Sequence, residues 1–178
     1  MGADKALRKI LVDRALVPLT QEYGNNICTL SETESNYTFA IRNVPNDALI
    51  IKCDRFPTTG DKFFRGKNQE CKRADYVLIS ESEKVIMFFE LKRSNKSASA
   101  KDITAQLKGA KCIMDYCASI SSAFLEEHDI FDGYIYKYYK GAYKSPQKRP
   151  FGKDNKPDNS TPETARILPG DSAAFGWL

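Results

Sequence analysis

The chain has 178 residues, of which 42% are hydrophobic and 28% charged, and its formal net charge is +4. This apolar content excludes wholesale disorder, and the length predicts a single domain, residues 1–178, that can bury a real core. No stretch approaches the roughly 20 apolar residues of a membrane span, and the first residues lack the charged-then-apolar pattern of a signal peptide.

The first predicted element is a helix over residues 4–22, with Leu7, Ile10 and Leu11 on one face and a kink at Pro18. Gly24 is expected to end this helix. Strands are then predicted at 27–30, 37–44 and 48–53, because each run is rich in apolar, β-branched or aromatic residues.

The next two predicted strands form a hairpin that brings charged residues together at one end. Apolar runs follow Asp75 and precede Glu90, and they flank a polar Ser-Glu-Ser-Glu turn centred near Ser82. Such a turn places Asp75 across from Phe89 or Glu90, and strand alternation places Glu90 and Lys92 on one face. Burying two neighbouring carboxylates is costly unless a cation lies between them. Lys92 could neutralise one of these acids, and a divalent metal could neutralise both.

This order of residues, an Asp, a hairpin and then Glu-x-Lys on the second strand, resembles the PD-(D/E)xK nuclease superfamily. That group includes restriction endonucleases and Holliday-junction resolvases. The matching segment is 72–111, and it departs from the superfamily pattern at Ala74, where the name-giving proline would stand. The resemblance implies an α/β fold with a restriction-endonuclease-like αβββαβ core, in which helices flank a mixed central sheet. The alternative is an exposed edge hairpin with an ordinary salt bridge.

The resemblance also implies roles for the charged residues. Asp75, Glu90 and the Leu91 carbonyl would coordinate Mg²⁺ or Mn²⁺, which prefer oxygen ligands. The metal would lower the pKa of a bound water and stabilise charge on the phosphate. Lys92 would help to deprotonate that water or neutralise the transition state, and arginine could not replace it as a proton acceptor. Glu22 is either an additional metal-site carboxylate, as in many relatives, or a surface residue.

An amphipathic helix is predicted to start at Asp102, because apolar residues recur at three- and four-residue steps: Ile103, Leu107, Ala110, Met114, Cys117 and Phe124. Gln106 falls within this apolar stripe, where its amide needs a partner. It is either a satisfied core glutamine or, as the resemblance implies, a catalytic residue that supports Lys92 or the metal-bound water. Lys108 and Lys111, on the flank of the helix, are either nucleic-acid contacts or solvated lysines.

The last third of the chain contains short strands and a basic segment. Strands are predicted at 133–139 and 165–168. Between them, the composition of residues 144–164 predicts a mobile basic loop. Residues 175–178 are apolar enough to be expected to pack against the rest of the domain. Basic and aromatic residues alternate over 137–156 and again over 52–73. Such stretches either bind phosphates and bases or form a solubilising surface. We expect the first stretch to contact nucleic-acid phosphates through Lys144, Lys148, Arg149 and Lys153.

The cysteines and the single histidine limit the kinds of metal site and catalytic residue that the chain can contain. Five cysteines are an odd number without zinc-like spacing, so reduced thiols in a cytoplasmic protein are expected. His128 lies after the long helix among acidic residues, which argues against zinc chemistry and against a histidine-based nuclease.

Three functions fit this sequence. The leading hypothesis is a Mg²⁺-dependent (or Mn²⁺-dependent) nuclease that hydrolyses phosphodiester bonds in DNA. The alternatives are an RNA endonuclease with the same site, and a catalytically silent nuclease-fold subunit that binds nucleic acid. A homodimer would supply two sites for two strands, and a chain this small could instead rely on a partner protein for specificity.

Overall fold

The computed structural model describes residues 2–33, 37–56, 64–92, 99–141, 158–168 and 170–178. Within these ranges the chain forms the helices α1 (Ala3–Ile10) and α2 (Ala100–Leu125). The strands are β1 (Leu16–Val17), β2 (Thr20–Glu22), β3 (Asn25–Glu32), β4 (Tyr37–Arg42), β5 (Leu49–Lys52), β6 (Tyr76–Ser80), β7 (Val85–Glu90), β8 (Ile135–Lys140), β9 (Arg166–Ile167) and β10 (Ser172–Ala174). Neither α-helix in the described part of the chain is both long and apolar enough to cross a membrane.

The strands form two sheets, and together with α1 and α2 they give a fold of the α/β class. The first sheet has the order β1-β5-β6-β7-β8-β9, and the second has the order β10-β4-β3-β2. In the first sheet β5, β6 and β7 are antiparallel neighbours, whereas β8 lies parallel to β7. A parallel neighbour requires a crossover connection, and α2 provides it.

The first sheet is covered on both faces, which produces three layers. On one face, side chains of β5–β8 form a core with α1 and α2. On the other face, the alternate residues of the same strands pack against β3 and β4 of the second sheet. Every residue of β6 and β7 is buried for this reason, which explains why both strands are apolar up to their last residues, Ser80 and Glu90. The prediction of a mixed central sheet is confirmed, but the described helices flank only one of its faces. The second sheet, whose apolar residues need a partner surface, covers the other face.

Helix α2 begins and ends at residues with well-defined capping. The Ser99 side chain accepts a hydrogen bond from the Asp102 backbone N–H, and the Asp102 carboxylate accepts one in return from the Ser99 N–H. At the other end, Glu126 adopts the left-handed conformation with φ of 56°. The predicted apolar stripe is buried except for Phe124, which lies in the last turn of the helix and is 75% exposed.

The prediction of a helix over 4–22 is wrong beyond Ile10. Residues 13–15 form a single 3-10 turn, and β1 and β2 follow it. Pro18 lacks a backbone N–H and disfavours helical geometry at the residue before it, so the helix cannot continue to 22. Gly24 does not end a helix; with Tyr23 it forms the two-residue loop between β2 and β3, where both residues have positive φ.

The remaining predicted elements are found, with shifted ends. The hairpin turns over residues 81–84, as expected. Strands β3–β9 correspond to the two hairpin strands and to the strands predicted at 27–30, 37–44, 48–53, 133–139 and 165–168. Phe175 and Leu178 are buried against the second core, which confirms the docking of 175–178. Most of the predicted basic loop, 144–157, lies outside the described residues. Its end, 158–164, contains the capped 3-10 turn Pro162–Thr164.

Gly109 fixes the distance between α2 and the segment that leads into β6. A Cβ atom at this position would lie 1.7 Å from the Lys72 carbonyl oxygen. Glycine to alanine within a helix normally adds about 1 kcal/mol of stability. For Gly109→Ala we expect the opposite, a loss of about 1–3 kcal/mol, because backbone atoms must move apart.

Urea unfolding of the wild type, Gly109→Ala and Gly176→Ala measures this effect. A Cβ at Gly176 would meet no atom within 4 Å, so that control should change stability by less than about 0.5 kcal/mol. A Gly109→Ala variant as stable as the wild type would show that the helix and the segment do not touch in solution.

Candidate active site

The hairpin register brings two acids to the same end of the first sheet. Tyr76 pairs with Phe89, so Asp75 and Glu90, the next residues outward, lie opposite each other. The Leu91 backbone N–H donates a hydrogen bond of 2.6 Å to Asp75 Oδ2, which holds the Asp75 carboxylate against the second strand. The predicted proximity of Asp75 and Glu90 is therefore what the structure shows.

Glu90 is a buried carboxylate with few interactions that offset the loss of its hydration. Its side chain is 0% exposed, and Asp75 is 9% exposed. Lys92 Nζ lies 3.0 Å from Glu90 Oε1, which confirms that the two side chains share a face. Even so, neither carboxylate oxygen has a hydrogen-bond partner of acceptable geometry among the described residues. The contact with Lys92 is an ion pair, so Glu90 keeps unused acceptor capacity.

Burial raises the pKa of both acids, and the charge of a neighbouring acid adds to the rise in each case. For Asp75, removal from water raises the pKa most, and the Glu90 charge adds to this, while the Leu91 N–H lowers it. For Glu90, burial also raises the pKa, and the charge and proximity of Lys92 oppose the rise without cancelling it. Two carboxylates that resist ionisation beside each other form a site that a divalent cation would stabilise strongly.

Lys92 and Gln106 are the other predicted catalytic residues, and both lie near the Glu90 carboxylate. Burial alone would lower the pKa of Lys92, but the contact with Glu90 and the charges of Asp75 and Glu32 together outweigh it, and the pKa is raised. Lys92 is 25% exposed, so its ammonium group can reach a substrate. Gln106 is half-buried on α2, and its amide lowers the pKa of Glu90. The Gln106 amide therefore lies close enough to Glu90 to influence its pKa.

Sequence reasoning missed Glu32, whose charge raises the pKa of both Asp75 and Glu90. The Tyr76 hydroxyl explains this position: it donates to the Ser31 carbonyl at 2.6 Å and accepts from the Ser31 N–H at 3.1 Å. This tether brings the end of β3 to the start of β6. Alternation after Cys28 and Leu30 could have found Glu32, but the predicted strand ended at residue 30. Glu22, the acid singled out in the sequence, is exposed on β2.

The predicted nucleic-acid contacts are only partly visible. Lys108 forms an ion pair with Glu163 at 2.6 Å, and Lys111 forms one with Asp115 at 2.7 Å. Both lysines are exposed or half-exposed, so these pairs do not prevent phosphate binding. The other predicted contacts lie outside the described residues: Lys144, Lys148, Arg149 and Lys153.

The donor set fits a hard divalent cation with few protein ligands. No group of three or more His, Cys, Asp or Glu side chains in the described ranges is placed to hold a metal ion. Two buried carboxylates make a smaller set, which suits Mg²⁺ because Mg²⁺ keeps several waters. The unused acceptor capacity of Glu90 is the observation that supports this fit.

The raised pKa values predict how stability depends on pH without divalent ions. The folded protein holds the protons of Asp75 and Glu90 more tightly than the unfolded chain does. Their contribution to stability is therefore complete below the ordinary carboxyl pKa of about 4 and is lost as pH rises through the raised values. As the pH rises above about 4, we expect the melting temperature in EDTA to fall more steeply in the wild type than in Asp75→Asn/Glu90→Gln.

Circular dichroism melts at a series of pH values check this expectation. Comparison with the double variant is needed because other acids titrate as well; hydrogen bonds from Ser82, for example, help to hold the pKa of Asp47 below its usual value. Identical pH profiles for the two proteins would contradict the assigned burial of the acid pair.

Comparisons of this chain with protein-family models, with curated proteins and with solved structures give no match. The geometry of Asp75, Glu90, Lys92 and Gln106 is therefore the basis for any functional conclusion.

Proposed function

We propose that this protein is a Mg²⁺-dependent (or Mn²⁺-dependent) nuclease that hydrolyses phosphodiester bonds, with DNA as its substrate. The observation that supports this proposal best is the buried pair of opposed acids with a lysine 3.0 Å from one of them. Such a pair is costly in an apolar sheet, and proteins retain strongly perturbed acids mainly at functional sites.

Each residue of the site has a role in the proposed reaction. Asp75, Glu90 and the Leu91 carbonyl would hold the metal, which supplies an acidified water and positive charge beside the phosphate. The raised pKa of Lys92 keeps its ammonium group charged. This favours neutralisation of the transition state by Lys92 over acceptance of a proton from water. Gln106 orients the Glu90 carboxylate from α2.

The order of elements supports the restriction-endonuclease-like part of the proposal. Helix α1, the antiparallel strands β5–β7, the crossover helix α2 and the parallel strand β8 follow one another as αβββαβ. Strands β1–β4 are an insertion between α1 and β5 in this interpretation. The acids lie at the end of β7 where the chain leaves for α2, so the helix can contribute Gln106.

The state of the thiols supports a reducing, cytoplasmic location as part of the proposal. All five cysteines lie in described ranges and are free, and Cys28, Cys53 and Cys117 are buried. Burial raises the pKa of Cys28 to about 12, so this thiol is unreactive.

Incubation with single- and double-stranded DNA and RNA, in Mg²⁺, Mn²⁺ or EDTA, tests the proposed function. We expect cleavage of DNA that EDTA abolishes and that the double variant Asp75→Asn/Glu90→Gln, purified in the same way, does not show. Cleavage of RNA alone would favour the RNA endonuclease, and binding without cleavage would favour the silent subunit. Equal cleavage by the wild type and the double variant would reveal a contaminant and reject the site.

A further inference from the structure

Lys140 belongs to the basic stretch 137–156, and strand pairing places it beside the acid pair. Strands β7 and β8 are parallel neighbours, and Glu90 is in register with Lys140. Two residues earlier, the rings of Phe88 and Tyr138 stack with centroids 4.8 Å apart on the helix-covered face. Because alternate residues share a face, Glu90 and Lys140 both point to the side of the sheet where α2 lies.

The residue after Lys140 fixes this arrangement. The Gly141 N–H donates to the Glu90 carbonyl at 2.7 Å and so extends the strand pairing. A Cβ at Gly141 would lie 3.1 Å from the Lys92 backbone nitrogen and 3.0 Å from Tyr37 Cε1. The chain therefore passes so closely over Lys92 that glycine is favoured, and Lys140 is held beside the Glu-x-Lys segment.

The charges around Lys140 suggest what it binds. Lys92 is already paired with Glu90, and Asp75 and Glu32 add negative charge nearby. Lys140 is half-buried and forms no ion pair with any described residue, in contrast to Lys108 and Lys111. A partly desolvated ammonium group without a carboxylate partner, next to a proposed phosphate-cutting site, suits an anionic ligand.

We propose that Lys140 and Lys92 flank Glu90 as two cations that bind the phosphate group of the nucleic acid being cut. This inference rests on the proposed nuclease function. A phosphodiester has one negative charge, and a second develops on its oxygens when the attacking water gives its proton to solvent and adds to phosphorus as hydroxide. One lysine that is already paired with a carboxylate neutralises too little of this charge. Contacts of this kind position the backbone and read no base sequence.

Lys140→Ala tests this inference, with Lys5→Ala as the matched control. Lys5 is an exposed lysine at the opposite end of the first sheet, where the nearby Ala3 N–H bonds to Glu81 in the hairpin turn. Binding of a fluorescent DNA duplex is measured by anisotropy in EDTA over a series of salt concentrations. For Lys140→Ala we expect weaker binding and a slope of log affinity against log salt that is smaller by about 0.9, which is one phosphate contact. Lys5→Ala should match the wild type, and Lys140→Arg should restore the slope.

A separate readout distinguishes this inference from the proposed function. If the wild type cuts DNA while Lys140→Ala keeps wild-type affinity and salt slope, the role of Lys140 is rejected and the nuclease stands. If the wild type binds DNA but never cuts it, the nuclease is rejected, and Lys140 is then rejected with it as a contact to a reacting phosphate. A reduced slope together with wild-type cleavage that Lys140→Ala slows supports both.

Discussion

Lys92→Ala is expected to lower the rate of phosphodiester cleavage by about 10²–10³-fold while Mn²⁺ affinity stays close to that of the wild type. The loss is large because one preorganised charge beside the reacting phosphate commonly contributes this much to the rate. Metal affinity should persist because Lys92 contacts Glu90 through its ammonium group and supplies no ligand oxygen. Single-turnover cleavage and calorimetric Mn²⁺ titration of the same preparation measure the two quantities.

The hairpin itself offers a matched control. Lys84 forms an ion pair with Glu81 in the turn, at the opposite end from Lys92 and Glu90. Lys84→Ala removes the same charge from the same type of pair, so cleavage should proceed at the wild-type rate. If Lys92→Ala also cuts at the wild-type rate, Lys92 is only a salt-bridge partner.

Asp75→Asn and Glu90→Gln are each expected to weaken Mn²⁺ binding by at least about tenfold, which corresponds to about 1.4 kcal/mol. Each change removes one of the two charged ligands in the proposed set. Neither change should unfold the protein, and either can add stability, because a neutral amide relieves the repulsion between two buried carboxylates. Calorimetric titration gives the affinity, and thermal melting in EDTA gives the stability.

Glu163→Gln is a suitable control for these two variants, because Glu163 is an exposed acid paired with Lys108 on the protein surface. It should bind Mn²⁺ as the wild type does. Equal Mn²⁺ affinity in the wild type, Asp75→Asn and Glu90→Gln would refute the metal site and leave the acid pair without a ligand.

The site could be predicted in part because its centre is local in sequence. Asp75 and Glu90 belong to one hairpin, whose apolar runs and polar turn specify the register without help from the rest of the chain. The long helix was equally clear, because its apolar stripe and its Asp102 start are both visible in the sequence. Gln106 followed from its place in that stripe.

The rest depends on contacts between distant segments. Glu32 reaches the site because Tyr76 binds Ser31, 45 residues earlier. Lys140 reaches it because β8 adds beside β7 after a 26-residue helix. The sequence does not predict the second sheet for a similar reason. The apolar pattern of its strands does not show which sheet they join, and only three-dimensional packing shows that they cover the first sheet. At the N-terminus, the sequence correctly predicts a helical start but continues the helix past Pro18, into residues that pair as strands in the structure.

The parallel pairing of β7 with β8 has a consequence for folding kinetics. A hairpin such as β6–β7 forms in about 1–10 μs, so Asp75 and Glu90 can meet early. A parallel pair whose strands are joined through a long helix must wait for the closure of that larger loop. A partly folded chain would therefore contain the two acids without Lys140 and without the helix that contributes Gln106. We expect any cleavage activity to appear only after β8 has paired with β7, so the proposed nuclease would be inactive until its chain is almost completely folded.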